Sequence, residues 1–473
     1  MNRRQFLGAG AAGSLSLAGL SRSASSAPPK KPNLLFLWTD EQRADTMAVY
    51  GNRKIKTPNL NKLASESYVF EKTYITQPVS TPSRCSVMTG LWPHTSGCVK
   101  NNIPLPLDTP CLNELLADPD YRTAYMGKWH LGDEIFAQHG FEEWVSMEDG
   151  YAKYYREGRD RNARSDYDHF LIQHGYEPDT KDGKFSRGFA ARRPIEQCKP
   201  AFLANNAGDF LRRHRGEPFI LYVNFLEPHM PFYGPLDDLH APDYVDLPAN
   251  FDDPLEENEP EAYRKKLAGY REKYGETEED FRNLIARYWG LCSQVDMSVG
   301  QILGALEDLG LTENTIVVYT SDHGDMMGSH RLVTKGVMYE EASRVPWLMR
   351  IPWLGRTQTV IPQPVSHIDL VPTLLELFGS DAGEALPGQS LLPLMRGETV
   401  AEDHVFIEWN GSVPVRTVVS PDGWKLCLFR EDHCQLFNLS EDPGETTNLF
   451  DSGKHDDVIA RLTERIRSWQ ESI

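Results

Sequence analysis

Four short stretches of the chain are apolar almost without interruption: 32–39, 122–126, 219–225 and 315–320. An unbroken apolar run, in place of alternation, is what a strand buried on both faces requires. Helical signals stand between them. Thr57-Pro58 opens one helix. Thr277 with Asp280 makes a capping box ahead of a stripe through Phe281, Leu284, Ile285, Tyr288, Cys292, Val295, Val299, Ile302, Leu303 and Leu306, at helical spacing, and Gly310 closes it. Strand and helix in alternation predict an α/β fold, a large mostly parallel sheet with helices on both faces. Two segments break the pattern. In 134–200 aromatic and charged residues mingle without a period, and 231–275 is rich in proline and acid; excursions of this kind carry specificity when they border a binding face. Beyond about residue 385 the pattern changes to short antiparallel strands at 416–419, 424–429 and 435–438, then a helix over Asp456–Glu471. At 473 residues the chain is long for one core, so the expectation is a large domain over 28–385 and a smaller α+β subdomain over 386–473.

Residues 1–27 stand apart. Asn2-Arg3-Arg4-Gln5-Phe6-Leu7 precedes a small-residue run from Gly8 to Leu20 and then Ser25-Ser26-Ala27, the three parts of a twin-arginine signal peptide cleaved near Ala27. Its apolar part is too short to be a transmembrane segment. The expected location is periplasmic or secreted, with the twin-arginine export machinery as a partner.

Hydrophobic residues at 40% and charged residues at 25% are ordinary for a soluble globular chain. The net charge of −19 argues against nucleic acid. An anionic substrate would need a locally basic pocket inside the acidic shell, with salt screening the long-range repulsion. Seven cysteines lack metal-type spacing, and a chain folded before export does not need disulfides to fold. Cys427 and Cys434 could still face each other across a hairpin.

Each apolar run ends in polar residues: Asp40-Glu41 after the first, Lys128-Trp129-His130 after the second, Glu227-Pro228-His229 after the third, and Ser321-Asp322-His323-Gly324-Asp325 after the fourth. In an open α/β sheet, ligands are met beyond the carboxyl ends of the strands. Singly, each residue has a plainer role: Asp40 and Asp322 as helix N-caps, His130 and His229 as loop histidines, Lys128 and Lys335 as solvated charges. The stretch Ser80-Thr81-Pro82-Ser83-Arg84-Cys85-Ser86-Val87-Met88-Thr89-Gly90 reads by itself as a Pro-Ser turn opening a helix, with Cys85 as packing. Together they say more. Ser80-x-Pro82-Ser83-Arg84 followed by Thr89-Gly90 resembles the signature of the formylglycine-dependent (type I) sulfatases in its serine-type form, within the alkaline phosphatase-like superfamily. Residues 128–132 resemble the family's short motif. The run from Ser321-Asp322-His323-Gly324 through Gly328, His330, Lys335 and Tyr339-Glu340-Glu341 to Arg344-Val345-Pro346 resembles its second long signature. Asn438-Leu439, Asp442-Pro443, Glu445 and Asn448-Leu449 resemble its C-terminal subdomain. The likeness covers nearly all the chain after the signal, with 134–200 and 231–275 outside it.

The resemblance implies the sulfatase fold and a sulfuric ester hydrolase. Ser80 would be oxidised to 3-oxoalanine (formylglycine) by a serine-type sulfatase maturation enzyme. The hydrated aldehyde would be the nucleophile, working through a covalent sulfo-enzyme intermediate whose second hydroxyl expels sulfate. It also implies a divalent cation, calcium with magnesium or manganese as alternatives, held by Asp40, Asp322, His323 and residue 80. Glu41 departs from the aspartate common at the remaining ligand position, and Leu91 stands where many members have arginine. Arg84, Lys128 and Lys335 would surround the transferring group. His130 would take the proton from the sulfated diol, His229 with Lys335 would protonate the leaving alcohol, and Asn101 or Asn102 would point into the pocket. A sulfated carbohydrate is the expected substrate, since sugars stack on aromatics and anions pair with arginines of the kind 134–200 supplies. Two rival readings are a phosphonate or phosphate ester hydrolase of the same superfamily and, if Ser80 stays unconverted, a non-catalytic sulfoglycan-binding protein.

Overall fold

The computed structural model describes residues 29–253, 255–411 and 413–472; the signal peptide expected over 1–27 lies outside the described residues. Strand β1 (Asn33–Asp40) is buried along its whole length. Its alternate side chains feed two cores. Leu34, Phe36 and Trp38 pack with Cys85, Val87 and Met88 of the helix Ser80–Thr89 and with Leu370–Leu377. Leu35 and Leu37 pack with Leu60 and Leu63 of Pro58–Ser65, with Lys199–Arg213 and with Val295, Val299 and Ile302 of Glu278–Asp308. Each such side chain contributes about 1.5–3 kcal/mol on full burial, so a strand apolar on both faces is held from both sides.

Strands β2 (Tyr68–Tyr74), β3 (Arg122–Gly127), β4 (Glu143–Val145), β5 (Phe219–Pro228), β6 (Thr315–Ser321), β7 (Arg344–Arg350) and β8 (Thr359–Ser366) complete an eight-stranded sheet in the order β4-β3-β5-β1-β6-β7-β2-β8. Strands β4, β3, β5, β1 and β6 run parallel to one another, and β7 alone runs against its neighbours. All four runs read from the sequence are thus strands of one parallel block, and their carboxyl ends share one edge.

Strand β7 was not legible because Pro346 interrupts it, and a proline demotes a run to an edge or to no strand. The register shows how it is accommodated: Phe70 pairs with Trp347 and Thr73 with Val345, so Pro346 lies opposite a bulge at Glu71 and Lys72. The sheet's edge strand β8 carries Pro362 and Pro364, which blunt it against further pairing. The excursion 231–275 departs from its reading, for it contains a helix, Glu261–Tyr274, one face of which buries Tyr263 against the C-terminal sheet. The long helix begins as read, with Thr277 and Asp280 capping reciprocally.

A second, antiparallel sheet joins β9 (Val405–Trp409), β10 (Val415–Val419), β11 (Trp424–Phe429) and β12 (Gln435–Asn438) in the order β12-β11-β10-β9, with the helix Asp456–Glu471 packed on it through Leu462, Ile466 and Trp469. All seven cysteines are free thiols, Cys427 and Cys434 included. No described helix is long and apolar enough to cross a membrane.

One buried ion cluster ties the small sheet to the large one. Lys425 on β11 lies 2.9 Å from Glu340, just after the Lys335 loop, and 2.8 Å from Glu445, all three buried. Lys425→Met leaves two buried carboxylates without their cation, and we expect it to cost about 3–5 kcal/mol in urea denaturation. A loss below about 1 kcal/mol would show that the cluster does not hold the sheets together.

Candidate active site

Because β1, β3, β5 and β6 are parallel neighbours, their ends deliver Asp40, Lys128, His229 and Asp322 to one place, and the helix Ser80–Thr89 enters it with Ser80 first. Arg84 is the hub. Its guanidinium is fully buried, with Nε 2.8 Å from Asp322 Oδ2, Nη2 2.9 Å from Asp40 Oδ2, and Nη1 2.9 Å from the Lys128 carbonyl and 3.0 Å from Asn224 Oδ1. Its flat face lies 4.8 Å over Trp38. The Lys128 ammonium donates to the same Asp40 oxygen. Burial alone would push the Asp40 carboxyl up, but the charges of Lys128 and Arg84 outweigh it and hold Asp40 well below the usual carboxylate range.

The Ser80 end is as tightly placed. Ser80 Oγ is 3.0 Å from His323 Nε2, while His323 Nδ1 lies 2.9 Å from the Gly324 carbonyl. Donation to that carbonyl leaves Nε2 with its lone pair toward Ser80. From the same Nε2, Asp40 Oδ1 and Asp322 Oδ1 are each 3.6 Å away. Asp40 Oδ1 is buried with no hydrogen-bond partner, which costs several kcal/mol unless something else is supplied. A bare imidazole nitrogen, two hard carboxylate oxygens and a hydroxyl converging on one point fit a divalent cation. Glu41 stands beside this set, its Oε2 2.8 Å from Lys335 Nζ and 3.4 Å from His229 Nε2, and its Oε1 buried without a partner. Burial, reinforced by Asp325 and Asp40, pushes the Glu41 carboxyl up to about 8 against the pull of Lys335.

Both histidines read as proton carriers are here. His130 Nε2 lies 3.0 Å from Asn102 Oδ1, and its Nδ1 is buried without a partner. The loop that presents it is pinned by Glu134, whose two oxygens accept the Trp129 and His130 backbone N–H groups at 2.7 Å. Burial, then the charges of Lys128 and Arg84, hold the His130 pKa well below the usual histidine range. Burial and Lys335 do the same for His229. Both rings are therefore neutral at neutral pH.

Every residue expected at the site lies in or against it, but three relations were not visible in the sequence. Arg84 and Lys128 do not make a basic pocket, because Asp40 and Asp322 match them, while Lys335 is hydrogen-bonded to Glu41; a bound divalent cation would supply the positive excess. Of the two asparagines, Asn102 meets His130, whereas the side-chain Oδ1 of Asn101 accepts the Thr81 N–H in the first turn of the helix Ser80–Thr89. In the 134–200 segment, Arg156 and Arg159 are spent on Asp133, while Arg187 and Tyr151 reach the site. Asn224 had a signal, a lone amide inside an apolar strand. Arg187 had none, since its partner Glu148 lies 39 residues away; Glu134 binds within its own loop, to N–H groups four and five residues back.

With this geometry in place, comparison with known proteins gives a consistent result. The sulfatase family profile matches residues 32–380, and that of the N-sulphoglucosamine sulphohydrolase C-terminal region matches 328–472. The chain is 31% identical over 459 residues to an uncharacterised sulfatase, YidJ, of Escherichia coli (strain K12), covering 94% of this chain and 88% of that protein. It is 26% identical over 503 residues to an N-acetylglucosamine-6-O-sulfatase of Bacteroides thetaiotaomicron, covering 93% and 87%. Among solved structures, the phosphonate monoester hydrolase of Agrobacterium radiobacter superposes with a TM-score of 0.76 at 21% identity, covering 93% of this chain and 96% of that one. At that identity the likeness is one of fold.

The donor geometry makes the cation depend on short carboxylates more than on Glu41, which already has Lys335 as a partner. We expect Asp322→Ala to lose its bound divalent metal by elemental analysis, and Glu41→Gln to retain it. Full occupancy in Asp322→Ala would contradict the assignment.

Proposed function

The chain belongs to the sulfatase family and is a sulfuric ester hydrolase; we propose that its substrates are sulfated carbohydrates and that residue 80, oxidised from serine to formylglycine, supplies the nucleophile. The observation that carries this reading is the convergence of Ser80 Oγ, His323 Nε2, Asp40 and Asp322 at one buried point, with Lys128, Lys335 and the two neutral histidines around it. Support for carbohydrate comes from relatives of nearly full-length coverage that bear names such as N-acetylglucosamine-6-O-sulfatase. Export by the twin-arginine route, and maturation of Ser80 by a serine-type enzyme before that export, belong to the same proposal.

A divalent cation held by Asp40, Asp322 and His323, with calcium the hard-ligand choice, would add positive charge at the sulfate oxygens and lower the pKa of a hydroxyl at residue 80. The chain's own residues do the rest. Arg84 holds the Asp40 and Asp322 carboxylates in place. Lys128 and Lys335 face the transferring group in a pocket from which water is largely excluded, where a fixed charge acts more strongly than in water. His130, neutral and with Nδ1 unspent, can accept a proton. His229 stands on the leaving-group side. An incoming sulfate offsets the charge of Lys335, raises the proton affinity of His229, and lets it protonate the departing oxygen.

Two assays test this. Side by side, aryl sulfate should be cleaved in preference to an aryl phosphonate; the reverse preference would favour the phosphonate hydrolase reading. With His229→Ala, kcat for a sugar sulfate should fall by about 100-fold or more, against less than about tenfold for an aryl sulfate whose phenol leaves without help. Equal losses on both substrates would remove His229 from the acid role.

A further inference from the structure

The 134–200 segment places two side chains against the proton-handling histidines. The Tyr151 ring lies 4.5 Å from the His130 ring, and Arg187 Nη1 lies 3.4 Å from His229 Nδ1. The Arg187 guanidinium is clamped edge-on by Glu148, Nε to Oε1 at 2.7 Å and Nη2 to Oε2 at 2.6 Å, and Nη2 also donates to the Tyr151 hydroxyl at 2.9 Å. Glu148 is buried and has a second cation, Lys199, at 2.8 Å. This leaves Nη1. His229 Nδ1 sits 2.9 Å from the Met230 carbonyl and donates its hydrogen there, so it does not accept from Arg187. Both Nη1 hydrogens are unspent, on a side chain that is 32% exposed.

A cavity of about 370 Å³ is lined by Tyr151, Arg187, Glu148 and Lys199 and, besides them, by Asp149, Asp182 and Lys184. One glutamate against two cations leaves a net positive charge around Arg187. A planar fork with two free donors, held rigid by a buried carboxylate, is suited to a second anion.

We propose that Arg187, with Tyr151 beside it, is the specificity-determining residue on the leaving-group side, selecting sulfate esters of sugars that carry a further carboxylate or sulfate next to the ester. This rests on the sulfatase reading for the placement of His229. The substrate's second anion takes the Nη1 edge, its ring lies along Tyr151, and the remainder of a longer chain extends into the cavity.

The test uses full-length protein from a maturation-competent host, with sulfate release measured on 4-nitrophenyl sulfate and on two matched pairs. These are N-sulfo- against N-acetylglucosamine 6-sulfate, and hexuronate 2-sulfate against hexose 2-sulfate. Wild type should favour the doubly anionic member of at least one pair by about tenfold or more in kcat/KM, and Arg187→Gln should cut that preference to about twofold or less, chiefly through KM. Arg187→Lys should recover part of it. Because Arg187→Gln strips Glu148 of a partner, Arg187→Gln/Glu148→Gln keeps the local charge balanced and should show the same loss of preference. Hydrolysis of 4-nitrophenyl sulfate with no preference in either pair, or a preference that survives Arg187→Gln, would overturn the proposal alone. No sulfate release from any substrate would overturn it together with the sulfatase reading.

Discussion

A guanidinium buried between two carboxylates governs this molecule. Arg84 comes from the helix that begins at Ser80, Asp40 from the end of β1 and Asp322 from the end of β6, and the three are locked at 2.8–2.9 Å with no solvent access. Removing any one would leave an uncompensated buried charge, a cost of several kcal/mol. The helix therefore cannot shift relative to the sheet without breaking this contact, and Ser80 sits one turn from Arg84 on the same helix. Strands β3 and β5 are recruited to the same group, through the Lys128 carbonyl that follows β3 and Asn224 on β5. A cluster chosen for stability alone would have been apolar. This one fixes the oxygens that converge near Ser80.

Local charge balance resolves the chain's acidity. A net charge of −19 is poorly suited to an anionic substrate, and the floor of the site is not basic either, since Arg84 and Lys128 are matched by Asp40 and Asp322. The unsatisfied Asp40 Oδ1 and the unpartnered Glu41 Oε1 are where the balance is incomplete. A cation there would make the pocket positive only at its floor, at short range, where the acidic surface is screened.

Much of this was legible because parallel α/β sheets turn sequence into geometry. Four apolar runs had to be neighbouring parallel strands, so the polar residues that follow them had to meet, and Asp40, Lys128, His229 and Asp322 do. The capping box at Thr277 and the final helix fell where read for the same reason, each being specified by local contacts. Strand β7 was hidden because Pro346 is tolerated only by a bulge on a strand far away in sequence. The helix Glu261–Tyr274 was hidden among charged residues that show no clear stripe, since only Tyr263 is buried on it. Arg187 was hidden because a long-range partner, Glu148, and not spacing, places it.

The central claim is that Ser80 is a precursor of the nucleophile. The tryptic peptide from Thr73 to Arg84 reports on it directly, weighed alongside turnover in the same preparation. Protein made with a serine-type maturation enzyme should yield this peptide lighter by two hydrogens, with activity in proportion to the converted fraction. Protein made without that enzyme should keep the mass of serine, fold, and turn over negligibly, since a sulfate placed on serine has no neighbouring hydroxyl to expel it. Sustained multiple turnover by protein whose residue 80 is wholly serine would contradict the account.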